Sequence, residues 1–479
     1  MKEKQSWILW LGLSTFGVLA VYSLIFFKER ALFSDAGFHL FLFCEEKAPQ
    51  IFHYRWPNIF TQILPLAAIY LKFPLSTVAQ AYSLNMVLYH MAFFLLTYRL
   101  LKRPKEALGI VLSAVLMVND QFYWMQTELP LGLAFLFFTW GLYGFLKERD
   151  FYGGYGWGVW ALAAFALVSY HTLLVLPMLF IMVWEVLDLF LKKDRKQLRI
   201  AILWGTIYAI SFVIYRVFFT DSYEQGVLSQ LKNIPEFLPR FFELKLTQQF
   251  WGWLPTKYLM LVVFLLANTF LLVRARRYLF VLLTWGFPIA FLLLSHGTFP
   301  FDTRQFFLDN IYSVMGTAMI WAFLQHGEKL WGQKQLVGIC LTLCIVFSLG
   351  RIYWQGGYYQ DRLDLNRKLM AYAEEKSIDK LIIPHNLDLE FTFELSWGVP
   401  YEVWGLSTIE QGEAKSILVA TNPPEFEWLK NERARFAQLW SSYEYKNLDP
   451  VYFPFYNDSI GYQYVDWEVF GIPRTTRYQ

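Results

Sequence analysis

The sequence predicts an α-helical multi-pass membrane protein with about eleven transmembrane helices and a small C-terminal α/β domain in water. Three observations support this fold class. Hydrophobic residues make up 56% of the 479 residues and charged residues only 17%, whereas an average soluble domain is about 25% charged. The apolar residues come in blocks of about twenty, which is the length of a helix that crosses a bilayer. After about residue 355, charged residues become as frequent as in a soluble protein.

The apolar blocks predict the individual spans and their orientation. The spans are 6–27, 75–101, 106–120, 127–146, 152–169, 171–191, 199–219, 256–273, 278–295, 305–325 and 335–353. The first is too long for the apolar part of a signal peptide, so we interpret it as a retained helix. Every second connection is short and basic, and such loops stay in the cytoplasm. We therefore expect an odd number of spans in the cytoplasmic (inner) membrane and an extracytoplasmic C-terminal domain.

The remaining segments define the domain organisation. A membrane domain over 1–354 carries two long outer loops, 28–74 and 220–255, and the apolar run 58–71 within the first predicts an interfacial helix. An extracytoplasmic domain follows over 355–479. Its pattern predicts a set of alternating elements: a helix over 359–376, strands over 381–384 and 416–420, a helix around 425–441 and aromatic strands near 450–470.

Several function classes are excluded or left without support. The net charge of +3 shows no nucleic-acid footprint. Cys44, Cys340 and Cys344 do not form a disulfide framework, and we interpret them as packing residues. No zinc spacing, glycine-rich phosphate loop or Gly-x-Ser-x-Gly motif is present in the sequence. No cofactor is required, although Asp35, His39 and Glu128 leave room for a divalent cation.

Ionisable side chains at or inside a membrane are unfavourable in free energy, so each of those that lie together on the outer side suggests a function. Asp35 and His39 are four residues apart and share a helix face. In this aromatic setting Asp35 is a candidate general base, and a helix N-cap is the structural alternative. Glu128 is a candidate sugar-site residue that equally suits the first turn of a helix with Pro130.

Three further residues suggest phosphate binding. His171 stands at an outer membrane boundary, where a hydrogen-bonded interfacial histidine is the structural alternative. Arg304 opens the tenth span, and its planar guanidinium suits a phosphate. The alternatives are an arginine that extends to the interface or one paired with Asp302. Arg216, at the outer end of the seventh span, is a weaker candidate.

With these positions assigned, the chain resembles the GT-C superfamily of membrane glycosyltransferases. Within that superfamily it is similar to the group of dolichyl-phosphate-mannose mannosyltransferases and aminoarabinose transferases. The resemblance covers the layout of the membrane part and rests on three local patterns. They are Phe33-Ser34-Asp35 after the first helix, Thr127-Glu128-Leu129-Pro130 at the fourth span, and Thr303-Arg304-Gln305-Phe306-Phe307 at the tenth.

The resemblance implies an enzyme of cell-envelope glycan biosynthesis that uses a polyprenyl-phosphate sugar donor and a lipid, glycan or protein acceptor. Asp35 would be the base of an inverting transfer, and Arg304 would hold the lipid phosphate, with His171 or Arg216. Glu128 would shape the sugar site, and His39 would lie beside the base. One departure is Ala36, where many members have a second acidic residue. Two alternatives therefore stay open, a transporter of a lipid-linked saccharide and a non-catalytic GT-C-like assembly subunit.

Overall fold

Helices account for 76% of the protein, and the described strands all follow residue 379. The structure is a computed structural model. It describes residues 6–125, 128–149, 154–302, 304–326, 334–386, 389, 392–438, 440–454 and 461–472. Long apolar helices therefore form most of the chain, and a small strand region follows them. The predicted helical membrane part and C-terminal strands are confirmed in this outline.

The helices are numbered here along the described residues. They begin with α1 (Ser6–Ile25), α2 (Phe27–Ala31), α3 (Asp35–Glu46), α4 (Ile63–Tyr70), α5 (Leu75–Leu95), α6 (Pro104–Ser113), α7 (Glu128–Glu148), α8 (Gly154–Tyr170) and α9 (Val175–Leu191). They continue with α10 (Arg195–Phe218), α11 (Ser222–Ser229), α12 (Ile234–Phe237), α13 (Lys245–Trp253), α14 (Leu259–Arg274), α15 (Tyr278–Thr298), α16 (Gln305–His326), α17 (Lys334–Glu375) and α18 (Val399–Glu410).

Seven helices in the described part of the chain are long and apolar enough to cross a membrane. They are Ser6–Ile25, Glu128–Glu148, Thr172–Leu191, Arg195–Phe218, Tyr278–Thr298, Gln305–His326 and Leu336–Glu375. Several long apolar helices of this kind indicate a protein embedded in a membrane. The count of eleven spans stays a prediction, since the helices α6, α8 and α14 are shorter.

The apolar run 106–120, which was predicted as one span, is helical over only part of its length. It is helical only up to Ser113, where α6 ends. The chain then turns into a 3₁₀ segment, Asp120–Phe122, and the backbone N–H of Asp120 donates to the carboxylate of Asp309 at 3.1 Å. This polar contact between the loop and α16 draws the apolar run away from a helical path.

Burial identifies α16 as the central helix of the bundle. Its apolar stretch is 94% buried, compared with 28% for α10 and α15, which therefore lie at the periphery. Trp321 of α16 meets the rings of Trp140 and Trp184 with centroids 5.5 and 5.7 Å apart. A Cβ at Gly316 would lie 2.2 Å from the Met117 side chain, so glycine lets α16 approach the turn after α6 closely. Dense aromatic packing of this kind holds the bundle together.

The C-terminal part is joined to the bundle by one continuous helix. The boundary predicted at 354/355 lies inside α17, which runs without interruption to Glu375. Three short strands follow in a parallel sheet of order β2-β1-β5, and two more form an antiparallel pair. They are β1 (Lys380–Pro384), β2 (Ser416–Ala420), β3 (Arg435–Gln438), β4 (Ser441–Glu444) and β5 (Gln463–Tyr464).

Two of the predicted C-terminal elements differ from the structure. The helix expected around 425–441 is a 3₁₀ segment, Pro423–Asn431, followed by β3. The physical reason is tertiary: β3 pairs with β4 and buries Phe436 and Ala437. Near 450–470 the structure has only the two-residue strand β5 and a 3₁₀ turn among the described residues.

Candidate functional site

Asp35 is the first residue of α3, and its carboxylate faces a tryptophan. Ser34 occupies the cap position with φ +44° and ψ −114° and makes no side-chain capping bond. Asp35 is therefore not the helix cap. Its Oδ2 instead accepts a hydrogen bond from Trp124 Nε1 at 2.8 Å. Loss of water around the carboxyl raises the pKa of Asp35 to about 6, with a smaller contribution from the negative charge of Glu128.

The unusual backbone of Ser34 is held by the C-terminal part of the chain. The backbone N–H of Ser34 donates to Glu402 of α18 at 3.0 Å. Glu402 is fully buried and also accepts from Arg362 Nη2 and Asn366 Nδ2, both at 2.8 Å. A positive φ at a serine is costly and persists only where the surroundings enforce it. The C-terminal region thereby fixes the direction in which α3 begins.

Arg55 links two carboxylates at this end of the bundle. Its Nη1 donates to Glu128 at 2.5 Å and its Nη2 to Glu224 at 2.6 Å. Asn58 adds a second donor to Glu128 at 3.1 Å. The residue Glu128 begins α7, as the structural alternative expected, and it is also the partner of a buried cation. Thr127, part of the same sequence pattern, lies outside the described residues.

His171 and Arg216 meet around the other carboxylate of this cluster. Glu224 accepts from Thr172 at 3.0 Å and from Arg216 at 3.3 Å. His171 caps the 3₁₀ segment Thr172–Leu174, and its Nδ1 accepts from Leu173 N at 3.1 Å. One ring nitrogen of His171 is therefore already used as a hydrogen-bond acceptor, as the structural alternative expected.

Arg304 lies just before α16 and pairs with its neighbour. Its Nε and Nη2 donate to Asp302 at 2.9 and 2.5 Å, which is the pairing named as an alternative from the sequence. The guanidinium also lies 5.5 Å from the ring of Phe307. Its side chain keeps 39% of its surface exposed, so it remains accessible to an anion. Thr303 lies outside the described residues.

His39 lies in an aromatic cluster. It is 7% exposed, and within the described part of the chain its Nδ1 has no hydrogen-bond partner. Its ring lies 4.9 Å from that of Phe52 and 6.0 Å from that of Phe43. Burial lowers the pKa of His39 to about 3, so the ring is neutral. His39 therefore contributes no charge to the site.

A cavity lies directly beside the Arg55 cluster. It measures about 910 Å³ and is lined by Arg55, His171, Glu224 and apolar side chains of α9, α11, α15 and α16. A second, almost wholly apolar groove of about 780 Å³ runs between α9 and α15. The two share Leu176, Phe291 and Leu294 and are therefore adjacent. A polar end and an apolar channel between peripheral helices suit a molecule with a charged head and a hydrocarbon chain.

Sequence reasoning found part of this site. It named Asp35, Glu128, His171 and Arg216, and the structure brings the last three to the network around Arg55. It missed Arg55 and Glu224 as site residues, because only their long-range pairing identifies them. In the described part of the chain, no three His, Cys, Asp or Glu side chains are grouped to hold a metal ion, so the divalent cation has no such group there.

Comparison with known proteins finds no match for this chain. The GT-C resemblance therefore rests on the sequence patterns alone. No family model matches the chain, and neither a curated protein nor a solved structure does.

Proposed function

We propose that this protein is a membrane glycosyltransferase that moves a sugar from a polyprenyl-phosphate donor to an acceptor hydroxyl. The acceptor is a lipid, a glycan or a protein, and the reaction takes place on the extracytoplasmic side of the membrane. The donor brings its own activated bond, so no nucleotide site is needed. GT-C glycosyltransferases, which the sequence resembles, have this chemistry.

The first support is the environment of Asp35. A general base near neutral pH needs a carboxylate whose pKa is raised but which is still ionised. A pKa of about 6 meets this requirement. The single described hydrogen bond to its Oδ2 comes from Trp124, and the carboxylate is not used as a helix cap. The hydrogen bond from Trp124 does not take up the proton-accepting capacity that a base requires.

The second support, and the observation that carries the proposal, is that the apolar groove adjoins the Arg55 cavity and shares three lining residues with it. From Leu294 to Leu282 the groove follows twelve residues of α15, or about 18 Å of helix. That length exceeds half of a hydrocarbon core of about 30 Å. Leu179 and Leu282 are more than half exposed at its walls. A prenyl chain in this groove would bring its phosphate to the polar end beside Arg55.

The proposed reaction is a displacement at the anomeric carbon of the donor sugar. The acceptor oxygen attacks the anomeric carbon of the sugar while its proton passes to Asp35. The bond between that carbon and the phosphate oxygen breaks, and polyprenyl phosphate leaves with its negative charge. Arg304, with the cations around Glu224, stabilises that charge. The sugar configuration inverts because attack and departure occur on opposite faces.

The base is tested by sugar transfer from a panel of synthetic polyprenyl-phosphate sugars. Asp35→Asn removes the proton acceptor and preserves size, so we expect transfer to fall at least about a hundredfold. Asp364→Asn is the matched control, because its carboxylate is 55% exposed and pairs on the surface with Arg367. Transfer by Asp35→Asn at the rate of the control would exclude Asp35 as the base.

The groove is tested by donor length. Ala290 lines the groove and is exposed, so Ala290→Trp blocks the channel without disturbing the core. We expect its KM to rise for a long-chain donor and to change little for a short-chain one. Leu162→Trp, at a position 72% exposed on α8, is the control. Equal KM changes for both donor lengths would contradict the role of the groove.

A further inference from the structure

A second cavity, separate from the Arg55 cavity, is lined in part by the buried guanidinium of Arg30. Arg30 of α2 is only 2% exposed. It lines this small cavity together with residues of α1, α5 and α7 and of the segment 114–125 that follows α6. None of the lining residues belongs to the Arg55 cavity or to the groove between α9 and α15. This cavity is therefore independent of the proposed donor site.

The charge of Arg30 is not neutralised within the described part of the chain. Its Nη2 donates to the carbonyl oxygen of Ser83 at 3.3 Å, and its Cζ lies 3.7 Å from the centre of the Phe122 ring. Its Nε and Nη1 have no hydrogen-bond partner among the residues that the structure describes. Burial lowers the pKa of Arg30 to about 9, so the group remains charged at neutral pH. No described carboxylate pairs with it.

A buried cation of this kind is unfavourable unless an anion or a set of acceptors completes its environment. The aromatic ring and one carbonyl satisfy only part of a group that has five N–H donors. Gln121 lines the same cavity, and its Oε1 also lacks a partner although its Nε2 donates to Asn310. Two donors of the cation and one acceptor at this wall are thus buried without a partner among the described residues.

The rest of the wall indicates what carries the anion. Most of the lining side chains are apolar: Phe16, Leu19, Met86, Val87, Val118 and Met125. Phe16 and Leu19 belong to the membrane helix α1. A free inorganic anion would leave this surface without a partner. A phosphate monoester on a hydrocarbon chain satisfies both parts, since its oxyanion meets the guanidinium and its protonated oxygen meets an amide oxygen.

We propose that this cavity is a lipid-phosphate site in which Arg30 binds the phosphate and the apolar wall binds the first part of the chain. Gln121 accepts a hydrogen bond from the protonated phosphate oxygen. Arginine is suited to this task because its guanidinium is planar, permanently charged and weakly hydrated. The site does not depend on glycosyl transfer, and the protein binds the lipid there whether or not the Arg55 cavity is occupied.

The test is photolabelling of the full-length protein, purified in an uncharged detergent, with a dodecyl phosphate that carries a photoreactive group on its chain. Mass spectrometry of the labelled peptides reports the location directly. We expect label on peptides around Phe16 and Ala114, separate from any label in the groove at Ala290. Absence of label around Phe16 and Ala114 in the wild-type protein would overturn the proposal.

Two variants and a control connect the label to the cavity. Arg30→Met removes the unpaired charge at similar length and should reduce this labelling at least about tenfold while the protein stays folded. Ala114→Phe fills the cavity without touching the guanidinium and should do the same. Arg277→Met is the control, because Arg277 is paired with Asp188 at 2.8 Å. Undiminished labelling in Arg30→Met or Ala114→Phe would overturn the site.

Competition separates the sources of the anion. An excess of unlabelled dodecyl phosphate should abolish the label, and dodecanol should not. Equal competition by dodecanol would show that the charge of Arg30 is irrelevant and would overturn the proposal. Competition by inorganic phosphate at the concentration of the lipid would overturn the assignment to a lipid.

Discussion

The contact between Glu402 and Ser34 permits a sharp test of how the C-terminal part supports the site. The carboxyl of Glu402 has no exposed surface and accepts from four described donors. They are Ser34 N, Arg362 Nε and Nη2, and Asn366 Nδ2. Glu402→Gln preserves the shape of the side chain, removes its charge and replaces one acceptor oxygen with an NH₂ donor.

The magnitude follows from burial. Arg362 is 4% exposed, so the substitution leaves a buried guanidinium without its counter-charge. Breaking a buried pair in this way costs about 3–5 kcal/mol of unfolding free energy. Glu410→Gln is the matched control. Glu410 also pairs with two cations, Lys28 and Arg367, but at the surface, where the loss is about 0–1 kcal/mol.

The assay is denaturant unfolding of both variants and the wild type in the same detergent at neutral pH. The sugar-transfer rate is measured alongside, at a temperature where each protein is folded. We expect the larger stability loss in Glu402→Gln and, because Ser34 precedes Asp35, a slower transfer as well. Equal losses in the two variants would refute the reasoning from burial. An unchanged rate would separate Glu402 from the position of Asp35.

Three further predictions concern the site itself. Trp124→Phe removes the hydrogen bond that lowers the pKa of Asp35, so the acidic limb of the pH–rate profile, near pH 6, should move to higher pH; an unmoved limb would contradict Asp35 as the titrating base. Arg304→Ala should weaken donor binding by about 1.5–3 kcal/mol, the scale of a charged hydrogen bond, and normal affinity in equilibrium binding would exclude the phosphate role. Arg55→Gln should lower the unfolding free energy by about 3–5 kcal/mol, because two carboxylates lose their shared cation, and a loss below 1 kcal/mol in the same unfolding assay would contradict that bridge.

Local patterns predicted the elements that depend on local chemistry. The apolar blocks marked the long helices, and the short β-branched run Ser416–Ala420 appears as β2 with the same bounds. The helix expected around 425–441 fails because pairing of β3 with β4 overrides helical propensity there. The continuity of α17 was also missed, since a change in composition does not interrupt a helix.

The site depends much more on long-range contacts. Asp35 was recognisable as a carboxylate next to a membrane helix. Arg55 was visible only as one charge in an aromatic loop, and its partner Glu224 lies 169 residues further along the chain. Arg30 carries no sequence signal of its own after the first helix, and only its burial distinguishes it. Pairings across such distances follow from packing, which a single sequence does not encode in any local pattern.

The contact between Ser34 and Glu402 also governs when the protein becomes complete. The two residues are 368 positions apart, and a ribosome makes the chain from the N-terminal end. The start of α3 is therefore without its acceptor until almost the whole polypeptide has been synthesised and α18 has docked. A partly synthesised chain already inserted in the membrane would contain Asp35 in an unfixed position. Docking of α18 is thus the step that completes the structure of the first loop.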